Sequence, residues 1–317
     1  MSCYETKNLF FILLSSISLF SQRKYAKEFS FLNDNDLYIS PNQDRYYTNG
    51  MFFSYRYLSN NTTEKLEKKI FEIQIGHHMY TPFKATVEQS SDHDRPFAGY
   101  LFGSFGIHRF YKNETILKTT LQLGALGPSA LSKPMQDFIH EIYGFKKAIG
   151  WEDQISDALA VNLKIAYIKK LANDNYLDVN WVNNIRIGTV YTDFSTGFYG
   201  RIGLKPLQKI INSIAFNANL NNENTNFNNE IESFLYIKPM FSYVAYDATI
   251  EGSFLNDSSP ITYDIEPFKF TAEIGIRFTA NRFNFGYAIN YHTKKLKSMR
   301  VPKGNFYGTL LFNYQFN

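Results

Sequence analysis

From Phe268 to Phe278 the chain alternates. Phe268, Phe270, Ala272, Ile274, Ile276 and Phe278 are apolar, and Lys269, Thr271, Glu273, Gly275 and Arg277 stand between them. A period of two sends alternate side chains to opposite faces of a β-strand. The pattern recurs. Phe283, Phe285, Tyr287, Ile289 and Tyr291 form one stripe against Arg282, Asn284, Gly286, Ala288 and Asn290. Leu310, Phe312, Tyr314 and Phe316 form another against Thr309, Leu311, Asn313 and Gln315. A soluble sandwich strand shows the same alternation. Its repetition, and the aromatic character of one face, point instead to strands with lipid on one side and a polar lumen on the other. Strands are expected near 27–35, 47–58, 68–80, 97–111, 115–126, 157–171, 176–192, 196–204, 231–246, 265–280, 282–293 and 305–317. About twelve is an even number, as a closed bacterial barrel requires. Closure matters because an open sheet edge would leave backbone N–H and C=O groups unpaired in lipid. The expected fold is therefore all-β, a transmembrane antiparallel β-barrel.

Composition agrees with that picture. The chain has 30 Phe and 23 Tyr, 17% aromatic in all, yet its mean hydropathy is −0.30. Each strand gives half its residues to a wet interior. An α-helical membrane protein needs apolar runs of about 20 residues, and only residues 9–20 approach one. Lys7, the apolar run Leu9–Phe20 and Ser21-Gln22 read as an export signal over residues 1–21. Cys3, the one cysteine, precedes the apolar run, so no lipoprotein is read and the mature chain lacks any thiol nucleophile. Residues 22–317 show no Pro-, Gly- or Ser-rich linker and read as one barrel, expected to be a monomer. The net charge of +4 is modest, with no Lys/Arg block that suggests nucleic acid.

Two segments break the alternation. The Asn-rich stretch 217–230 reads as a mobile surface loop or low-complexity disorder. Within 129–155, a short helix is expected at about 133–144, with Pro134 in its first turn and Gly144 as its stop. Phe138, Ile139, Ile142 and Tyr143 make an apolar side, and Gln136 and His140, four apart, share another. A helix in an outer loop of a barrel suits chemistry held over the rim.

A set of ordered motifs follows residues 29 to 157: Asn33-Asp34-Asn35-Asp36, Asp44 to Gly50, Tyr80-Thr81-Pro82, Asp94 to Tyr100, Leu126-Gly127-Pro128, Gln136 to His140 with Gly144, and Gly150 to Gln154. In order and spacing they resemble the outer-membrane lipid A deacylases of the LpxR type. The resemblance implies a twelve-stranded barrel in the bacterial outer membrane, with its site between the outer rim and a loop helix. It implies a calcium-dependent esterase that removes the 3′-linked acyloxyacyl chains from lipid A, the lipid of lipopolysaccharide. It carries over His140, Asn33, Gln136 and Thr48 as site residues, and Asp34 with Thr48 as ligands for Ca²⁺. It also departs in places. Lys146 stands six residues after His140, where the family has a site glutamate, and a cation cannot ligate calcium. Lys84 lies near the family's site lysine.

The residues allow the same chemistry. The expected mature chain has no thiol, there is no Gly-x-Ser-x-Gly elbow, and His77-His78 lacks the His-x-Ser-Asn-Gly pattern of the outer-membrane phospholipase A. Water activated by a histidine is the simpler choice, with His140 the candidate base because an imidazole titrates near operating pH. The oxygen-rich run 33–36 suits calcium, which prefers carboxylate, amide and carbonyl oxygens. It equally suits an ordinary polar turn between the first two strands. Asp94-Arg95-Pro96 reads either as a site element or as a loop closed by an Asp–Arg pair. Two alternatives stand beside the esterase: a family barrel with altered or lost activity, and a porin or adhesin barrel without enzymatic function.

Overall fold

The computed structural model describes residues 24–39, 45–60, 63–84, 86–223, 231–301 and 303–317. The expected signal at 1–21, and Asp44 of the second motif, lie outside them. Twelve strands follow in chain order: β1 (Lys27–Asn35), β2 (Tyr46–Leu58), β3 (Leu66–Thr81), β4 (Ala98–Tyr111), β5 (Thr115–Leu126), β6 (Ala158–Asn173), β7 (Leu177–Gly188), β8 (Tyr191–Gly203), β9 (Ser233–Asp247), β10 (Phe268–Ala280), β11 (Phe283–His292) and β12 (Asn305–Phe316). Each pairs antiparallel with its neighbours in sequence, and β1 closes onto β12 with Phe29 opposite Tyr314. The strands are thus paired edge to edge around a closed ring, which is what lets a sheet span lipid.

The dyad pattern sorts the side chains. Phe53, Ile75, Leu123, Phe241 and Ile274 project outward and are exposed, as suits a lipid-facing belt. The lumen is charged. Arg56 bridges Glu28 and Glu72 at 2.7 and 2.5 Å. Two expected boundaries fail, the end of 176–192 and the start of 196–204, because β7 ends at Gly188 and β8 begins at Tyr191. The reading 176–192 runs through the β7–β8 connection, because Ile187-Gly188-Thr189-Val190-Tyr191 has no turn residue except Gly188.

The Asn-rich segment is also corrected. Residues 217–221 are not a surface loop but part of a plug that enters the lumen from the end where β1 begins and β12 ends, the periplasmic side of such a barrel. The plug carries single 3-10 turns at Ile210–Asn212 and Ile214–Phe216. Ile210, Ile214, Ala218 and Leu220 bury against Ile70, Phe110, Ile116 and Phe234 of the wall. Polar spokes satisfy its backbone: Lys68 Nζ donates to Ala218 O at 2.7 Å and to Leu220 O at 3.1 Å. The asparagines serve this burial. Asn219 donates to Glu28 and Asn221 accepts from Lys68. A composition-based reading misses this because asparagine amides solvate a loop and satisfy buried polar groups equally well. Residues 224–230 lie outside the described ones.

The opposite mouth is capped as well. Tyr46, Ile250, Leu296 and Met299 pack there with Phe83 and Tyr263. Asp94 and Arg95 are structural but do not pair with each other. Asp94 accepts from Tyr46 Oη at 2.7 Å and from the Arg300 N–H at 3.0 Å. Arg95 donates to Thr249 Oγ1 at 2.8 Å and lies over the Tyr80 ring. Beneath this cap, burial, with Lys269 and Arg95 nearby, lowers the pKa of the Lys295 ammonium to about 7.

Candidate active site

The expected helix is present as α1 (Ser132–Tyr143), one residue earlier than the sequence suggests. Gly144 ends it with φ +71°, and the Phe145 N–H returns to His140 O at 2.8 Å. The helix lies against the outside of the wall at the extracellular rim of β3 and β4. Gly99 makes that seat possible, since a Cβ there would lie 2.1 Å from Ser132 Oγ.

Its orientation inverts the usual amphipathic rule. Ser132, Gln136 and His140, spaced by four, are buried at 1%, 1% and 6% exposure. Phe138 and Ile142 are 60% and 64% exposed. A soluble helix buries its apolar stripe. Here the polar stripe faces the barrel and the apolar one faces outward, continuing the lipid-facing belt. Phe138 and Ile142 of the expected apolar side do face outward, but it is the solvent that is unusual.

Under the helix, Met79, Phe97, Ala148 and Trp151 form a small core, joined by Met135. Trp151 Nε1 donates to Gln136 Oε1 at 2.6 Å. His140 Nδ1 lies 2.5 Å from Lys146 O. A carbonyl only accepts, so Nδ1 carries the proton and the proton-accepting lone pair falls on Nε2. This is the tautomer a general base needs. The Lys146 side chain is exposed, so the position acts on His140 through its carbonyl rather than through its ammonium.

A second histidine invites comparison. His77 Nε2 is 2.9 Å from Ser132 Oγ and 3.0 Å from Ala130 O. That carbonyl again fixes the proton, this time on Nε2. Its lone pair therefore cannot receive the Ser132 proton, and the pair is a tether for α1 rather than a nucleophile and its base.

The remaining site residues divide across the wall. Asn33 faces outward. Its Nδ2 donates to Gly50 O at 2.9 Å, and its Oδ1 accepts from Tyr38 Oη at 2.5 Å. In register, Asn33, Met51 and His77 stand abreast on β1, β2 and β3. Thr48 sits at a break in register between Tyr47 and Asn49, and its hydroxyl meets that of Thr81 at 2.6 Å. Thr81 shares the outer face of β3 with Met79. Asp34, one residue after Asn33, points the other way. It lines a lumenal cavity of about 460 Å³ with Ser30, Arg56 and Glu273. Tyr47 Oη and Thr309 Oγ1 donate to it at 2.8 and 2.6 Å.

The structure thus gathers His140 and Gln136 on the buried face of α1, and it places Asn33 and Thr48 on the same outer side of the wall. It does not bring Asp34 and Thr48 to one point. The oxygens on the outer side, from Asn33, Thr48 and Thr81, are neutral, whereas calcium sites draw on carboxylates. Among the described residues no group of three or more His, Cys, Asp or Glu could hold a metal. The expected Asp34–Thr48 calcium site does not fit this arrangement. Sequence reading passed over Thr81, Ser132 and His77. Thr81 follows Tyr80 within a motif, but nothing in one sequence shows that a bulge at Thr48 brings the two hydroxyls together.

Comparison with known proteins completes the picture. The chain matches the family model described as Outer membrane protein LpxR over residues 9–316. Among solved structures, LpxR from Salmonella typhimurium superposes with a TM-score of 0.72 at 17% identity, covering 91% of this chain and 100% of that one. The β domain of the Bordetella autotransporter Brka gives 0.46 at 7% identity, covering 93% and 99%. The translocator domain of autotransporter NalP from Neisseria meningitidis gives 0.43 at 10% identity, covering 99% and 96%. No curated protein matches the chain in sequence. A match spanning almost the entire length, on a closed twelve-stranded barrel, establishes that this chain belongs to the LpxR family of outer membrane proteins.

Proposed function

We propose that the protein is an esterase of the outer membrane that removes the 3′-linked acyloxyacyl chains from lipid A, with His140 as general base. The observation that carries the reading is the Nδ1–H donation of His140 to Lys146 O, which leaves Nε2 as a proton acceptor on the buried face of α1. In this scheme a water gives its proton to Nε2 as its oxygen bonds to the ester carbonyl. The tetrahedral adduct then expels the sugar 3′ oxygen, and the imidazolium returns the proton to it. Two groups on the outer wall have hydrogens to offer the oxyanion. Asn33 has a second N–H beyond the one given to Gly50 O. Of the paired Thr48 and Thr81 hydroxyls, one donates to the other, so one O–H remains. Gln136, held by Trp151, orients the helix face that carries the base.

The reading of a family barrel without activity rests on Lys146. Its exposed side chain and its carbonyl contact with His140 favour a working base, because exchanging the side chain leaves that contact intact. The porin reading is weakened by the plug that crosses the lumen. Calcium dependence comes with the resemblance, and no step here is routed through the ion.

Mass spectrometry of lipid A from cells with and without the expressed gene tests the proposal. The expected result is a new species lighter by one acyloxyacyl group and dependent on His140. Unchanged lipid A under full outer-membrane expression would overturn it.

A further inference from the structure

On the wall away from α1 lies a groove that the deacylase chemistry does not use. Phe194, Phe241, Tyr243, Phe268 and Phe270, on β8, β9 and β10, line about 460 Å³ of apolar space in the upper half of the outer surface. Its aromatic rings are already ordered by each other: Tyr243 meets Phe268 at 5.5 Å, and Phe241 meets Phe270 at 5.0 Å between centroids. Directly above it, Glu266, Tyr291, Lys294 and Lys303 surround a second hollow of about 400 Å³. Phe268 and Thr293 line both, so the two form one continuous feature.

The charge changes along that feature as an outer-leaflet lipid would require. The lower part is apolar, and Phe268 is 77% and Phe241 66% exposed. The upper part belongs to the β11–β12 loop, which gives Lys294 and Lys303 to the hollow, while Lys295 lies over the Tyr47 and Tyr80 rings beneath the cap and Lys297 pairs with Asp264 at 3.3 Å. The Lys303 ammonium is exposed, with no hydrogen bond or ion pair among the described residues, while its backbone carbonyl accepts from Tyr291 Oη. Lys294 Nζ reaches Lys297 O at 3.1 Å, a contact a stronger acceptor would replace. Glu266 is the one carboxylate in the hollow, against two ammonium groups.

An ordinary aromatic girdle with rim lysines accounts for the residue types. It does not account for a cationic hollow opening into an apolar groove through shared residues. We infer that this is a second, non-catalytic lipid site, occupied by a phosphorylated, multiply acylated lipid of the outer leaflet. Acyl chain lies in the aromatic groove, and phosphate sits between Lys294 and Lys303. The site is remote from the esterase centre. In the closed order, β4 under α1 and β10 under this groove are six strands apart in either direction. The inference rests on the outer-membrane location and not on the esterase reading.

Native mass spectrometry of the purified barrel in detergent, with His140→Asn to prevent turnover, provides the test. Diphosphorylated lipid A is the probe, with its dephosphorylated form and phosphatidylglycerol as comparisons. Retention of lipid A should fall about 30-fold in Lys294→Gln/Lys303→Gln, from two lysine–phosphate attractions at the strength typical of a membrane surface. Dephosphorylated lipid A should bind the parent as weakly as lipid A binds the variant. The double variant should deacylate normally when His140 is present, so loss of activity and loss of retention separate. Equal retention by parent and double variant, or binding of dephosphorylated lipid A or phosphatidylglycerol as tight as that of lipid A, would overturn the inference.

Discussion

Replacing His140 with asparagine isolates the proposed base from the structure around it. The imidazole does two things: Nδ1–H holds Lys146 O, and Nε2 accepts a proton. An asparagine amide can still donate to that carbonyl but offers no basic nitrogen. The Lys146 hydrogen bond is worth about 0.5–1.5 kcal/mol, and the edge-to-face contact of the imidazole with Phe145 at 5.7 Å is lost with the ring; both lie outside the twelve-stranded wall. Barrel formation should therefore be unaffected, which heat-modifiable gel migration and membrane fractionation would show. The chemical step should slow by about 10²–10⁴, or roughly 2.7–5.5 kcal/mol of barrier at 1.36 kcal/mol per decade. Initial rates on defined lipid A in mixed micelles measure it. A folded His140→Asn barrel that hydrolyses lipid A at the parental rate refutes the assignment and leaves α1 a lid or a packing element.

Three further outcomes follow from the same geometry. Asp34→Asn should leave the rate within about threefold and any calcium requirement unchanged, because the carboxylate faces the lumen; a titration of rate against free Ca²⁺ in EGTA buffers checks this, and a shifted requirement would show that Asp34 reaches the site. Arg201 pairs with Asp178 at 2.5 Å and Glu232 at 2.7 Å, so Arg201→Met should cost about 3–5 kcal/mol by leaving buried carboxylates alone, read as a lower unfolding temperature or cleavage of the plug by protease. Lys295 has a folded pKa of about 7 against an ordinary 10.5. Between those values the unfolded chain holds a proton that the folded one does not, so stability of the extracellular cap should decline as pH falls from 10.5 to about 7 and then level off; Lys295→Met should abolish the trend in protease resistance measured across that window.

Much of the fold was legible in the sequence, because a lipid-spanning strand must alternate. Phe268 to Phe278 declares its outward and inward faces residue by residue, and all twelve strands lie close to their expected places. What alternation cannot report is anything set by contacts between distant segments. The plug looked like a loop because its asparagines find Glu28 and Lys68 only once the barrel has closed. The site was legible as residue types on a helix face, and Gln136 and His140 do share it. Asn33 and Asp34 were read together, but adjacent residues on a strand point apart, and the pleat sends one outside and the other in. The alternation that sorts 268–278 parts residues 33 and 34 in the same way.

The plug also has a mechanical consequence. Its hydrogen bonds run to Glu28, Lys68, Lys118, Arg201, Arg277 and Gln315, on β1, β3, β5, β8, β10 and β12. Six spokes spread around one hub brace the hoop against flattening, as a wheel resists going oval. The wall that supports α1 is thus stiff from below. The helix, tied to that wall through Ser132 and His77, therefore rests on a seat that the hub holds in shape.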